Sequence, residues 1–212
     1  MLKEYQFRKG GKLFMKIFVI MGKSCSGKDT LVQSIMQTIK LQKVNNFEFI
    51  VPYTTRNPRD EKERYSGVYN FVTDEEMNLL ISSDGFVEVR AYDMHGEGLR
   101  RFATVLPELD PNKNYILIGT KEVATVLLRR NFDVRTIYLT VPTPVRLTRM
   151  MTRVNETNGN YGEALRRFIQ DEEDFAEIPE CLHVKEIDSS EFKTYYNEVV
   201  NYMISEIEDS VD

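Results

Sequence analysis

The sequence predicts an α/β fold with a parallel β-sheet core flanked by helices. Short apolar, β-branched runs alternate with stretches of helical periodicity along most of the 212 residues. Such alternation is typical of parallel sheets with right-handed crossovers. A stretch in the middle of the chain, rich in Pro, Arg, Tyr and charged residues, departs from this pattern. We therefore expect a core formed by 15–50 and 107–212, a small α+β insertion at 51–106 and an N-terminal extension at 1–14.

The first predicted unit consists of a strand, a glycine loop and a helix. The run KIFVIM (Lys16–Met21) is apolar and β-branched, which indicates a buried strand. After the loop, Leu31, Ile35 and Ile39 recur every four residues and mark one face of a helix. The glycine loop is therefore expected between a buried strand and an amphipathic helix.

Within the insertion, the sequence predicts a capped helix followed by two strands. Thr73 is a suitable N-cap, Glu76 completes a capping box, and Gly85 follows the expected end of the helix. Phe86–Tyr92 alternates as a half-buried strand does, and Phe102–Leu106 is expected to return after a turn.

After the insertion, the alternation of strands and helices resumes. The predicted strands have the sequences NYILIGT, DVRTIYLTV and LHVKEID. The predicted helices have the sequences KEVATVLLRR, PVRLTRMMTR, EALRRFIQDEEDFAEI and SEFKTYYNEVVNYMISEIE. A polar loop with two glycines, VNETNGNYG, joins the second and third of these helices.

Composition argues against several functional classes. The net charge of −5 disfavours nucleic acid as the main partner. The sequence contains no run of 18 consecutive apolar residues, so we expect no membrane span. Two cysteines, Cys25 and Cys181, occur without CxxC or CxxH spacing, which argues against a structural zinc site. Sparse cysteine and a poor secretory signal predict a cytoplasmic protein. A monomer and a homodimer are both compatible with the sequence.

The glycine loop has the spacing of a phosphate-binding loop. In MGKSCSGKDT, Gly22 and Gly27 are five residues apart and Lys28 follows directly. Glycines let backbone N–H groups converge on phosphate oxygens at a helix N-terminus, and the lysine is expected to reach the β- and γ-phosphates. The predicted ATP-binding residues are Gly22, Lys23, Ser24, Cys25, Ser26, Gly27, Lys28, Asp29 and Thr30.

The residue after the lysine departs from the usual motif. A Ser or Thr hydroxyl normally ligates Mg²⁺ at this position, whereas this chain has Asp29. A carboxylate also suits Mg²⁺, directly or through water, but an acid in the first turn of a helix is equally explained by the helix dipole. Thr30 is the alternative source of a hydroxyl. Asp29 and Thr30 are therefore both candidate Mg²⁺ ligands.

A second charged motif lies in the insertion. PYTTRNPR places Arg56 and Arg59 three residues apart around a proline, and Tyr69 follows in YNFV. Two guanidinium groups suit a phosphate dianion, and each contact contributes about 1.5–3 kcal/mol. Tyr69 adds a hydroxyl. The alternative is a solvated basic loop.

Together these motifs resemble the guanylate kinase family, P-loop enzymes that move phosphate from ATP to GMP. The family pattern is a phosphate loop, then S-x-T-T-R-x-P-R-x-G-E, then Y-x-F-V and an acidic residue on the next strand. This chain has YTTRNPRDEKE, YNFV and FVEV, and the resemblance runs from about Lys16 to the end. It implies a P-loop kinase with a nucleoside monophosphate (NMP)-binding insertion, with ATP and Mg²⁺ as cofactors. It also implies that the acceptor phosphate is held by Arg56, Arg59 and Tyr69.

The base-reading residues match the family less closely. The resemblance aligns the family's strand glutamate with Glu88, and it leaves Thr120 facing the acceptor because ILIGT replaces an ILDID-like run. Glu61 or Glu63 is expected to take the place of the acid in the family's G-E pair. GMP or dGMP is accordingly the expected acceptor, and fewer side chains are expected to bind its guanine base than in the family.

The resemblance also implies a lid at about 146–167. Arg149 and Arg153 are four residues apart and share a helix face, and Arg167 lies in the next helix. Arginines that close over the transferred phosphoryl group stabilise its charge and contribute about 10³–10⁵-fold in rate, while a lid excludes water. The alternative is surface arginines paired with Asp171–Asp174. The expected catalytic residues are Lys28, Arg149, Arg153 and Arg167.

Two other functions stay open at this point. The reduced guanine pocket is compatible with a kinase of another small phosphorylated metabolite. Asp29 and the absence of acids at 118 and 120 are compatible with a binding module that has no turnover. The intact Lys28 and the lid arginines favour an enzyme, with small-molecule nucleotides as its partners.

Overall fold

The computed structural model describes residues 15–42, 47–58, 60–94, 98–156 and 159–208. The N-terminal extension expected at 1–14 and the predicted phosphate ligand Arg59 lie outside these described residues. Within them the chain forms two β-sheets and seven α-helices, which confirms the predicted α/β class. No helix in the described ranges is long and apolar enough to cross a membrane.

The predicted elements occur in the predicted order, and the structure adds two short strands (Phe47–Phe49 and Tyr53–Thr54) and a short helix (Glu61–Tyr65). The strands are β1 (Ile17–Met21), β2 (Phe47–Phe49), β3 (Tyr53–Thr54), β4 (Asn70–Phe71), β5 (Phe86–Met94), β6 (Gly98–Val105), β7 (Asn114–Ile118), β8 (Val134–Thr140) and β9 (Lys185–Asp188). The helices are α1 (Lys28–Gln42), α2 (Glu61–Tyr65), α3 (Asp74–Ile81), α4 (Lys121–Arg129), α5 (Thr143–Glu156), α6 (Tyr161–Asp174) and α7 (Phe192–Glu208), and a 3₁₀ turn spans Glu180–Leu182.

The core sheet has five strands in the order β2-β7-β1-β8-β9, and all neighbouring pairs are parallel. Val19 at its centre is in register with Leu117 on one side and Thr136 on the other. Every residue of β1 is buried, as expected for a strand with both faces covered. Since the strands are parallel, the loops after β1 and β7 meet at one edge of the sheet.

Apolar side chains of β1 alternate between two core clusters, one on each face of the sheet. Val19 packs in a cluster with Val123 and Leu127 of α4. Ile20 packs in the other cluster, with Leu31 of α1 and residues of α7. Full burial of each such side chain contributes about 1.5–3 kcal/mol, so the two clusters hold the glycine loop on a rigid base.

The insertion forms a separate four-stranded sheet in the order β4-β3-β6-β5. The predicted capping box is confirmed: Thr73 Oγ accepts from the N–H of Glu76 at 3.2 Å, and Glu76 Oε2 accepts from the N–H of Thr73 at 2.8 Å. The returning strand is longer than predicted, because β6 begins at Gly98 and pairs along most of β5. This sheet places one face of β5 beside the core.

The charged DEKER segment forms a short helix that the sequence pattern does not predict. Residues Glu61–Tyr65 form α2, whose N-cap Asp60 accepts a hydrogen bond from the N–H of Glu63 at 2.7 Å. The helix has no buried residue, so no apolar periodicity marks it in the sequence. It nevertheless delivers one carboxylate to the site.

Helices α5 and α6 pack on each other and on the glycine loop. Their contact is a small apolar cluster of Met150, Val154 and Ala164, against which Cys25 and Phe168 pack. The region predicted as a lid therefore contacts the loop between β1 and α1 directly.

Candidate active site

A cavity of about 270 Å³ lies where the carboxyl ends of β1 and β7 face the insertion and α6. Residues from all three parts of the molecule line it. Eleven of the residues predicted from the sequence are among them: Gly22, Ser24, Cys25, Lys28, Asp29, Arg56, Tyr69, Glu88, Thr120, Arg153 and Arg167. The cavity therefore joins the expected donor, acceptor and lid groups.

The glycine loop needs glycine at both ends of the motif. Gly22 has φ +156°, and a Cβ there would lie 2.5 Å from Ser26 Oγ and 2.8 Å from the Leu139 carbonyl oxygen. Gly27 has φ +93°, and a Cβ would lie 2.6 Å from Tyr195 Oη. Both backbone conformations disfavour other residues, so the loop keeps a tight curve with room for an anion above it.

Lys28 begins α1, and its ammonium group turns back into the glycine loop. Nζ donates to the carbonyl oxygens of Gly22 at 2.6 Å and Lys23 at 3.0 Å. Burial lowers the pKa of Lys28, while the carboxylates of Asp29 and Asp171 oppose that shift. The ammonium group thus lies inside the glycine loop, held by two of its carbonyl oxygens.

Carboxylates from α6 occupy part of the loop. The N–H of Ser24 donates to Asp171 Oδ2 at 2.7 Å, and the Lys23 ammonium pairs with Glu172. Each carboxylate oxygen makes the kind of contact that a phosphate oxygen makes in such a loop. From the sequence, these acids are expected only as partners of surface arginines. Their helical spacing from Arg167, four residues before Asp171, was the available signal that α6 turns an acid towards the cavity.

Arg56 is held in position for an anion in the cavity. It is 3% exposed, and its guanidinium makes a bidentate pair with Glu63, with N–O distances of 2.8 and 3.0 Å. It also lies 5.7 Å from the ring centres of Tyr69 and Phe71. Of the two acids considered in α2, Glu63 is the one that orients the arginine. The bidentate fork fixes the guanidinium plane.

One face of β5 forms the opposite wall. Glu88, Arg90 and Tyr92 alternate along the strand and all line the cavity. Both carboxylate oxygens of Glu88 lie 3.2 Å from Thr120 Oγ, which also caps α4. Burial raises the pKa of Glu88, and Arg90 and the Thr120 hydroxyl oppose the rise. Arg90 and Tyr92 are not among the residues predicted from the sequence, although the alternation of FVEVRAY places them on the same strand face as Glu88.

The lid arginines are divided between two positions. Arg153 of α5 and Arg167 of α6 line the cavity, as does Arg166. Arg167 Nε donates to Glu163 at 2.7 Å, so an intrahelical carboxylate holds its side chain. Arg166 contacts the same glutamate and donates to the carbonyl oxygen of Asp93 at 2.9 Å, which ties α6 to the insertion.

Arg149 does not line the cavity but lies behind the glycine loop. Its guanidinium donates to the carbonyl oxygens of Cys25 at 3.3 Å, Ser189 at 2.9 Å and Ser190 at 2.8 Å. These contacts connect α5 to the loop and to the chain after β9. The geometry thus assigns Arg149 a contact with the loop backbone, whereas Arg153 lies beside the space for substrate.

The candidate metal ligands also differ in position. Asp29 is half-buried and lines the cavity, whereas Thr30 is exposed and is not part of its lining. A carboxylate oxygen is a ligand that Mg²⁺ prefers, so Asp29 fits a metal that arrives with a nucleotide. Across the part of the chain that the structure describes, no group of three or more His, Cys, Asp or Glu side chains could hold a metal ion. Phosphate oxygens would supply the remaining ligands.

Comparisons with known proteins agree with this geometry. A family model described as guanylate kinase matches residues 14–206. The crystal structure of guanylate kinase from Anaplasma phagocytophilum is similar with a TM-score of 0.60. The match covers 91% of this chain and 86% of that chain at 18% sequence identity. Comparison with curated proteins gave no match. The structural likeness supports the fold, and the family model supports the family.

Proposed function

Because the chain belongs to the guanylate kinase family and is a nucleoside monophosphate kinase, we propose that its acceptor is GMP or dGMP. The reaction transfers the γ-phosphate of ATP to the acceptor and gives ADP and GDP or dGDP. The observation that carries the proposal is the single cavity that Lys28, Arg56 and Glu88 share with the lid arginines Arg153 and Arg167.

The glycine loop binds the donor. The backbone N–H groups of Lys23–Thr30 and the N-terminus of α1 hold the phosphates of ATP, and the ammonium of Lys28 moves from carbonyl oxygens to the β- and γ-phosphates. Mg²⁺ bound with ATP neutralises charge between these phosphates. Asp29 is the candidate protein ligand that lines the cavity, and Thr30 is the alternative.

The insertion binds the acceptor. Arg56 and Tyr69 hold the phosphate of the nucleoside monophosphate, and Arg59 is proposed as a second guanidinium. Arg56 is already fixed by its bidentate pair with Glu63, so binding costs little side-chain entropy. Glu88 accepts hydrogen bonds from the guanine ring N–H and amino group, and Thr120 orients its carboxylate.

Transfer needs alignment and charge stabilisation but no general base. An oxygen of the acceptor phosphate is already an anion, and it attacks the γ-phosphorus. The bond between this phosphorus and the β–γ bridging oxygen breaks, and ADP leaves with the electron pair. Arg153 and Arg167 stabilise the charge on the equatorial oxygens. Arg149 acts through the loop backbone, which it contacts at the Cys25 carbonyl.

A label-transfer experiment tests the proposal. ATP labelled at the γ-phosphate is incubated with GMP and Mg²⁺, and the label is expected in the β-phosphate of GDP. Label found only in inorganic phosphate would show hydrolysis without transfer. Absence of both products in the presence of bound ATP would favour a binding module or an acceptor outside the guanine nucleotides.

A further inference from the structure

Arg90 is a charged residue of the cavity wall that the proposed reaction does not use. It lies on the same face of β5 as Glu88, and its Nε is 3.6 Å from Glu88 Oε2. Its other two nitrogens contact three further side chains. Nη2 pairs with Glu122 of α4. Nη1 lies 3.4 Å from Asp174 Oδ2 of α6 and 3.4 Å from the Tyr92 hydroxyl. The guanidinium therefore connects β5 of the insertion to α4 of the core and to the end of α6 through three carboxylates.

Glu88 lies in an environment that disfavours its charge. Its side chain is only 17% exposed, and burial raises its pKa. Glu122, which faces it from α4, raises the pKa further by like-charge repulsion, while Arg90 and the Thr120 hydroxyl lower it. The acid that reaches this group from α6, Asp174, contacts Arg90. Arg90 is thus a cation that compensates the charge of Glu88.

The protonation state of Glu88 determines which base its carboxyl group can hydrogen-bond. An ionised carboxylate only accepts hydrogen bonds, whereas a protonated one donates from one oxygen. Guanine presents two adjacent donors, the N1–H and the 2-amino group, and an ionised carboxylate matches both. Adenine and cytosine present a ring acceptor in the corresponding place. A site with buried polar groups strongly rejects a ligand that leaves them unpaired.

We propose that Arg90 is the positioning residue of the base subsite, holding Glu88 ionised and oriented towards the N1–H and amino group of guanine. Glu122 and Asp174 in turn fix the guanidinium. The inference rests on the proposed function, because it assumes that Glu88 reads the acceptor base. It adds that guanine selectivity depends on a residue that need not touch the base.

The test compares Arg90→Met with the charge-retaining control Arg90→Lys. The quantities measured are kcat/KM for GMP between pH 5.5 and 9, and KM for ATP in the same range. An opposite charge at this distance lowers a carboxylate pKa by about 1–3 units. Removing it raises the pKa of Glu88, so protonation begins at higher pH. The acid limb of kcat/KM for GMP is therefore expected to move up by about one pH unit or more in Arg90→Met. KM for ATP is expected to stay the same. In Arg90→Lys, which keeps the positive charge, the acid limb is expected at the same pH as in the wild type.

Two further measurements separate positioning from a structural role. Inosine monophosphate lacks the 2-amino group, and Arg90→Met is expected to reduce the preference for GMP over it. Glu122→Gln removes the like charge and frees Arg90 for Glu88, so it is expected to move the acid limb to lower pH. A limb that shifts in neither variant, while selectivity is unchanged, would overturn the inference. If Arg90→Met does not fold, Glu122→Gln alone decides, since an acid limb that does not move to lower pH in this variant would overturn the inference.

The failure of this inference is distinct from failure of the proposed function. Wild-type protein that does not phosphorylate GMP would contradict the proposed function. Wild-type protein that phosphorylates GMP, with pH profiles unaffected by the Arg90 and Glu122 substitutions, would contradict the role of Arg90 alone.

Discussion

Replacing Asp171 by Asn is expected to tighten ATP binding about five- to tenfold, because the Asp171 carboxylate accepts a hydrogen bond from a backbone N–H of the phosphate loop. Asp171 Oδ2 accepts from the N–H of Ser24 at 2.7 Å, and ATP must displace it before a phosphate oxygen takes that donor. The substitution keeps the shape of the side chain and removes its charge.

The magnitude follows from the hydrogen bond that ATP breaks. A hydrogen bond to a charged acceptor contributes about 1.5–3 kcal/mol, and one to a neutral amide oxygen about 0.5–1.5 kcal/mol. The difference between the two is therefore about 1–1.5 kcal/mol. Since 1.4 kcal/mol corresponds to a factor of ten, the expected gain in affinity is about five- to tenfold. Relief of repulsion between the carboxylate and the phosphates acts in the same direction.

Isothermal titration of ATP with Mg²⁺ measures this change, and Glu173→Gln is the matched control. Glu173 lies two positions after Asp171 in α6 and is exposed. Its substitution removes the same charge. Its carboxylate accepts a long hydrogen bond from Gln170 at 3.4 Å. The control is expected to change Kd by less than about twofold, as for general surface charge.

Equal Kd values for the two variants would show that the Ser24–Asp171 contact does not compete with ATP. Weaker binding by Asp171→Asn would reverse the reasoning, since it would mean that the carboxylate assists the nucleotide or its Mg²⁺.

Three other substitutions test separate parts of the account. Lys28→Ala is expected to lower kcat by about 10²–10³-fold with little change in the unfolding midpoint; undiminished ADP release would contradict the loop assignment. Gly27→Ala is expected to destabilise the fold by about 1–3 kcal/mol, from its φ of +93° and the approach to Tyr195 Oη, and urea unfolding with and without Tyr195→Phe separates the two causes. Glu63→Gln is expected to cost about 3 kcal/mol of stability and to raise KM for GMP, because it leaves Arg56 without its paired charge; an unchanged KM would mean that Arg56 needs no such support.

The parts of the fold that the sequence predicts well are those with a local physical signature. The apolar run of β1 has the composition of a strand buried on both faces, and every residue of it is buried. The capping box at Thr73 and Glu76 is formed as predicted, because its hydrogen bonds join residues three apart. Helix α2 has neither an apolar face nor a buried residue, so its sequence gave no signal beyond the capping Asp60.

The parts of the site that the sequence did not predict depend on tertiary placement. The spacing of Arg149 and Arg153 predicts that they share one helix face. How α5 packs against the loop determines that Arg149 donates to backbone carbonyl oxygens and that Arg153 lines the cavity. The contact of Asp171 with the loop likewise depends on where α6 packs. Arg90 was detectable from the alternation of β5, and only its carboxylate partners on α4 and α6 required the structure. The domain boundaries and the roles of Arg59 and Thr30 stay predictions.

The most direct test of the account is ADP release from ATP and Mg²⁺ across six acceptors: GMP, dGMP, AMP, UMP, CMP and dTMP. We expect turnover with GMP or dGMP and none above background with the other four, because only guanine presents the two adjacent donors that an ionised Glu88 accepts from. Turnover with AMP, UMP, CMP or dTMP at the rate of GMP would contradict the assigned base subsite. No turnover with any acceptor, despite measurable ATP binding, would contradict guanine nucleotides as the substrate.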